Sequence, residues 1–228
     1  MKIDYDRFIR VATRSQALAS DPSQPPILGL VYKERAEAAI TAFLAAAEEV
    51  NTALSAFAKE NQEAELALEQ VDGPYRVARS SVAAVLPESV LPATLKALPT
   101  DTDKLNAIEE LLDILDDHVG KPWADALLAG DFGVKAPKTI QEINDAIAAS
   151  SARTKALGAR ASTFGPAYES YLAFKRVVRD TLGPASLEYR RIHLRAAPAP
   201  KGEGEPEGAA PVGEAPGGGA PGGEAPGG

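Results

Sequence analysis

From Ile40 to Val71 a heptad runs without a slip: Ile40, Phe43, Ala47, Val50, Leu54, Phe57, Asn61, Ala64, Leu68 and Val71. No other feature constrains the chain so tightly. Steps that alternate between three and four hold one helix face against a neighbour when helices wrap left-handed. A strand would need period two and β-branched runs, and neither is present. Extended back to about Leu30, this helix would have some forty residues and span about 60 Å. Alanines crowd its first half ("AAITAFLAAAEE"), which allows a partner helix to approach closely. Asn61 is the one polar seam position, either fixing register or marking a partly exposed stretch.

A second pattern runs through Ile140, Ile143, Ile147, Ser150, Thr154, Leu157, Ala161, Phe164, Tyr168, Tyr171, Lys175, Val178 and Leu182. Pro137 suits a first turn, and Thr139-x-x-Glu142 has the form of a capping box close to the start. A shorter helix, Leu105 to Val119, opens after "TDTD" and closes at Gly120. Another begins with Pro122 at its first position and ends at Gly130. Between these and the first long helix, prolines 87, 92 and 99 demand a connector with one short turn.

Three Gly-Pro pairs punctuate the helices: Gly73-Pro74, Gly165-Pro166 and Gly183-Pro184. A proline inside a helix costs about 3 kcal/mol, so each pair could end one helix and start the next. The heptad nevertheless keeps its phase across Phe164, Tyr168 and Tyr171. The expectation is a kink, or a break without a turn, at Gly165-Pro166 and at Gly73-Pro74. An aromatic follows the pair in both long helices (Tyr75 and Tyr168), a loose likeness that suggests internal duplication. The fold class is therefore all-α: an elongated antiparallel helical bundle with two long heptad-patterned helices kinked at Gly-Pro. Residues 1–29 form a short helix and connector, residues 30–195 the bundle, and residues 196–228 a disordered tail. That tail is rich in Pro, Gly and Glu, and only Val212 is bulky and apolar. It cannot bury enough surface to offset its ordering entropy.

Composition removes whole classes of chemistry. The 228 residues include no cysteine, so disulfides, thiolate metal sites and cysteine nucleophiles are excluded. A di-iron bundle needs Glu-x-x-His pairs. Leu115 stands three residues before His118, and Arg190 three before His193. No G-x-G-x-x-G, Walker-type or G-x-S-x-G motif occurs. "EELLDILDDH" could gather Glu109, Asp113 and Asp116, or Glu110, Asp113 and Asp117, around a hard cation. A solvated helix face accounts for the same run, and His118 in the last turn reads as a cap on the helix dipole. No catalytic residue, metal or cofactor is assigned. No run of about eighteen apolar residues exists to span a membrane, and no leader is evident, so a cytoplasmic location is expected. The excess of Ala, Gly, Pro and Arg fits a GC-rich bacterial genome.

Charge supplies the functional signal. The net charge of -8 is unevenly spread, with -10 over residues 1–152, +6 over 153–195 and -4 beyond. Lys175, Arg176, Arg179, Arg190, Arg191 and Arg195 are the candidate anion- or partner-binding residues. In one reading they pair with the acidic helix around Glu109–Asp117, inside the bundle or across an oligomer interface. In a second they bind nucleic acid, phosphate or an anionic membrane surface. In a third they are ordinary helix surface. The N-terminal stripe Arg7, Arg10 and Arg14 lies opposite Phe8, Val11 and Leu18, as in a helix docked on the bundle or lying on a membrane. The functional expectation is a non-enzymatic scaffold or assembly protein that self-associates or binds another protein. An anion-binding module is the alternative, and an enzyme without a recognisable linear motif comes third.

Overall fold

Asp4 opens the first helix, its carboxylate accepting from the N–H groups of Asp6 and Arg7, and α1 runs Tyr5–Ser20. In the computed structural model, which describes residues 4–194, six further α-helices follow. They are α2 (Pro26–Arg35), α3 (Glu37–Val85), α4 (Asp101–Asp116), α5 (Pro122–Leu128), α6 (Asp131–Leu182) and α7 (Leu187–Ile192). One 3₁₀ turn, Leu95–Ala97, interrupts the proline-rich connector, and no strand occurs among the described residues. The expected tail, residues 196–228, and Arg195 lie outside the described residues.

The two long helices pack against each other along most of their length and run antiparallel. Tyr75 meets Phe132, Thr139 meets Ala67, Arg153 covers Phe57, and Phe43 meets Phe164. Each step forward along α3 is thus matched by an equal step back along α6. With 49 and 52 residues, they extend about 74 and 78 Å at 1.5 Å per residue.

Several boundaries differ from the sequence expectation, each for a local reason. The first long helix does not continue back to Leu30, because Ala36 leaves helical geometry (φ -127°, ψ -32°). Hydrogen bonding carries on across it, from the Ala36 N–H to the Tyr32 carbonyl at 2.8 Å and from the Ile40 N–H to the Ala36 carbonyl at 2.9 Å. The bend lets Tyr32 of α2 pack on Phe174 of α6, ring centroids 5.2 Å apart. Nor does Pro137 sit in a first turn. Helix α6 begins six residues earlier, where burial of Phe132 and Ala136 offsets the proline. Thr139 is no cap either: its buried hydroxyl donates to the carbonyls of Lys135 (3.0 Å) and Ala67 (3.3 Å).

The Gly-Pro pairs separate into two kinds. Gly73-Pro74 and Gly165-Pro166 lie inside α3 and α6, and neither reverses the chain. Each proline simply leaves one carbonyl, of Gln70 or Ser162, without its helical donor. Gly183 is a true end, with φ +86°, which L side chains rarely adopt. There the chain turns back and α7 docks.

The core is divided in two. At one end α1, α2 and α7 cover the start of α3 and the end of α6, burying Phe8, Leu28, Ile40, Phe43, Tyr171, Phe174, Val178 and Ile192. At the other end α4 and α5 cover the end of α3 and the start of α6, around Val71, Tyr75, Ile108, Leu111, Leu115 and Ile143. In each long helix a tyrosine hydroxyl fastens the segment that follows. Tyr75 donates to the Ala93 carbonyl at 2.7 Å, and Tyr171 to the Ile192 carbonyl at 2.6 Å. Where α5 meets α6, a Cβ at Gly133 would overlap the Leu128 carbonyl. Gly133→Ala is therefore expected to cost about 1–3 kcal/mol by forcing α5 away, read as a lower urea midpoint. An unchanged midpoint would show that this close approach is not needed.

Between the two cores the hairpin is bare. No residue of α3 from 51 to 63 is buried, and from 147 to 166 on α6 only Ala156 is. The α6 seam also differs from the sequence reading in one of its two positions. The buried residues include Ile143, Ala146, Ala167, Tyr171, Phe174 and Val178, while Ile147 is 38 % exposed. In that frame Arg153 and Arg160 fall on seam positions, laying their guanidinium groups over Phe57 (5.0 Å) and Tyr5 (4.4 Å).

Candidate interaction site

The cations singled out in the sequence gather at the end built from α6 and α7. Lys175 lies between the rings of Tyr171 and Tyr189, each 5.9 Å from its ammonium. Burial, with help from the Arg179 charge, holds its pKa below the ordinary lysine value. Arg176, Arg179, Arg190 and Arg191 are exposed. Arg179 pairs with the adjacent Asp180, through Nε at 2.9 Å, an exposed neighbour pair of little energetic weight. Arg191 lines a cavity of about 200 Å³ together with Arg14, Asp21, Gln24 and Glu188. Arg14 donates to the Arg191 carbonyl at 3.2 Å, so α1 and α7 hold each other. The N-terminal arginine stripe is thus the outer face of a docked helix, whose inner face buries Phe8, Val11 and Leu18.

The internal pairing of these cations with the acidic helix is overturned. Glu110 acts electrostatically on Tyr75, at the opposite end of the hairpin. Tyr75 opposes Phe132, and Lys175 lies 43 residues further along α6, about 65 Å at 1.5 Å per residue. Among the described residues, Lys175, Arg176, Arg190 and Arg191 form no ion pair, and neither do Glu109, Glu110, Asp113, Asp116 and Asp117. The acids lie on the exposed face of α4 while its leucines fill the core. The reason is topological: α4 follows α3 and packs where the hairpin turns, far from the chain's return. Over residues 64–146 the charge is -8, from 15 acidic and 7 basic side chains. Over 161–194 it is +2, from 5 basic and 3 acidic side chains.

Other polar clusters are internally engaged. His118 Nδ1 lies 2.8 Å from the Ile114 carbonyl, its ring against Trp123, which is the capping role expected of it. Asp72 Oδ2 bridges Arg76 (3.0 Å) and Lys96 (3.6 Å) at a groove of about 490 Å³ floored by Leu68, Leu95 and Leu98. Glu60, Glu63 and Glu142 bring carboxylates within 4.8 Å of one another, and the Lys59 ammonium already binds the first two.

Sequence reasoning assigned Leu54 to a buried seam, yet it is 41 % exposed. With Ile147 it marks the uncovered middle of the hairpin. The available signal was the small, polar character of Ser150, Ser151 and Thr154 opposite it, together with arginine at 153 and 160. Along α3, residues 50–58 carry no charge at all.

The buried tyrosines give a pH prediction. Burial pushes Tyr171, Tyr75 and Tyr32 up to about 12 from the ordinary 10.0. Their neutral forms are favoured in the folded state, so this stability is complete below about pH 10 and is lost as pH rises toward 12. Melting temperature should be level from neutral pH to about 10 and then fall together with tyrosinate absorbance. Ionisation of all six tyrosines near pH 10 without loss of fold would count against it.

The class defined by this architecture is an all-helical antiparallel hairpin with a separate core at each end and no helix, among the described residues, long and apolar enough to cross a membrane. No protein-family model, curated sequence or solved structure matches the chain.

Proposed function

We propose that this is a non-catalytic assembly protein of the cytoplasm that works by associating with further copies of itself. The observation that carries the reading is the uncovered middle of the α3–α6 hairpin. A heptad seam continues through it, yet only Ala156 is buried there. Here each long helix is covered only by the other, and a sustained heptad covered so thinly is the pattern of a helix that finds a further partner in another molecule. The unpaired cations at one end and unpaired carboxylates at the other supply complementary surfaces. Sedimentation equilibrium tests the reading: weight-average mass should climb above the 23.8 kDa of one chain as concentration rises. A constant single-chain mass up to about 100 μM, far above typical micromolar association, would refute it.

A second reading rests on the cations at this end alone. Lys175, which packs on the Tyr189 ring, together with Arg176, Arg179, Arg190 and Arg191 could receive nucleic acid or an anionic membrane surface. Binding of RNA, DNA or anionic liposomes at low salt, weakened by Arg176→Glu with Arg190→Glu, is its expected result. No binding at any salt concentration removes it.

A further inference from the structure

We infer that the second copy pairs side by side and antiparallel with the first, about a twofold axis close to Leu54. The inference rests on the self-association reading above and specifies its geometry. Leu54 lies near the middle of the bare segment, level with Arg153 by the equal-step pairing of the two helices. A half-turn at that point exchanges the two ends of the hairpin. Tyr75, beside which Glu110 stands, is 21 residues from Leu54 along α3. Lys175 is 22 residues from Arg153 in the corresponding direction along α6. The rotation therefore carries Lys175, Arg176 and Arg179 of one copy to the level of Glu109, Glu110 and Asp113 of the other, twice over.

Parallel pairing would instead set the -8 region against its own image and leave the cations facing each other. Like charges brought together across an interface oppose association, so the antiparallel register is the one selected. The centre is also compatible with close contact. Ala53, Leu54, Ala56 and Phe57 lie in residues 50–58 of α3, a stretch that carries no charge. The bare stretch of α3, 13 residues, is about 20 Å long, and two helices are about 20 Å wide, giving about 400 Å² per copy. That falls short of the roughly 1,200 Å² total of a stable standard interface, so contacts at both charged ends are needed. The dimer is accordingly weak and sensitive to salt.

The test uses the full chain, whose lack of cysteine makes a single introduced thiol unambiguous. Leu54→Cys should give a covalent dimer with a short bis-maleimide, while Val90→Cys, on the exposed connector, should not. Raising salt from about 50 to about 500 mM should weaken association at least tenfold, because the screening length shrinks below the charge spacing. Arg176→Glu with Arg179→Glu should weaken it to a similar degree, and adding Glu110→Lys with Asp113→Lys should restore it. A single-chain mass under every condition overturns both this inference and the reading beneath it. A dimer that is indifferent to Leu54→Glu and not cross-linked through Leu54→Cys overturns the inference alone. The self-association reading then stands with a different interface. Leu54 is exposed enough for the glutamate to leave the fold intact, which circular dichroism checks.

Discussion

Truncating Phe8 to alanine is expected to lower stability by about 3–5 kcal/mol, the range for removing a buried phenylalanine. Its ring is fully buried and meets four others: Phe43 at 5.0 Å, Phe164 at 5.1 Å, Tyr171 at 5.7 Å and Tyr168 at 5.8 Å. These edge-on contacts join α1 to both long helices at once, and each adds about 0.5–1.5 kcal/mol beyond simple burial. The cavity left behind cannot collapse easily, since α3 and α6 are held apart by their own packing. Helix α1 should then exchange its amides much faster than α3. The exposed Arg10→Ala, on the same helix, should stay within about 0.5 kcal/mol of the parent. Urea unfolding measures both. A shift below about 1 kcal/mol for Phe8→Ala would show that α1 is an accessory rather than a part of the core.

The second large effect runs the other way. Pro166 and Gly165 are exposed, and nothing lies within 4 Å of a Cβ built at Gly165. A proline inside a continuous helix costs about 3 kcal/mol, of which up to about 1 is returned by its stiffness in the unfolded chain. Replacing Gly165 as well recovers about 0.5–1 kcal/mol. The double change Gly165→Ala with Pro166→Ala is expected to stabilise the fold by about 2–3 kcal/mol, and to raise the melting temperature by roughly 2–4 °C for each of these. A loss of stability would mean that the Gly-Pro geometry is required where α6 passes under Tyr5 and Phe43. Gly183 offers the contrast. Alanine there meets a positive φ and should destabilise, because that glycine ends the helix.

The helical class, the two long elements and most short ones could be read from residue spacing, because burial of one helix face writes a period directly into the sequence. Pro122 opens α5 and Gly120 takes a positive φ after α4, as local chemistry dictates, whereas α4 starts at Asp101, capped by Thr100, inside the stretch expected to precede it. The prolines misled wherever burial outweighed their cost: Phe132 and Ala136 pull α6 past Pro137. The candidate site was half legible. Its cations could be found by composition, but their neighbours could not, since charge shows no periodicity that reports distance in space.

The sequence by itself determined that this chain is helical, that two helices are long and present a face to be packed, and that opposite charges concentrate in different segments. Only the tertiary structure decided where those charges go. An antiparallel hairpin places α4 at its turn and the α6–α7 junction at its open end, too far apart to neutralise each other. It also showed that the middle of the heptad seam lies bare. A seam pattern states which face a helix must bury, and nothing in it states whether the burying partner belongs to the same molecule.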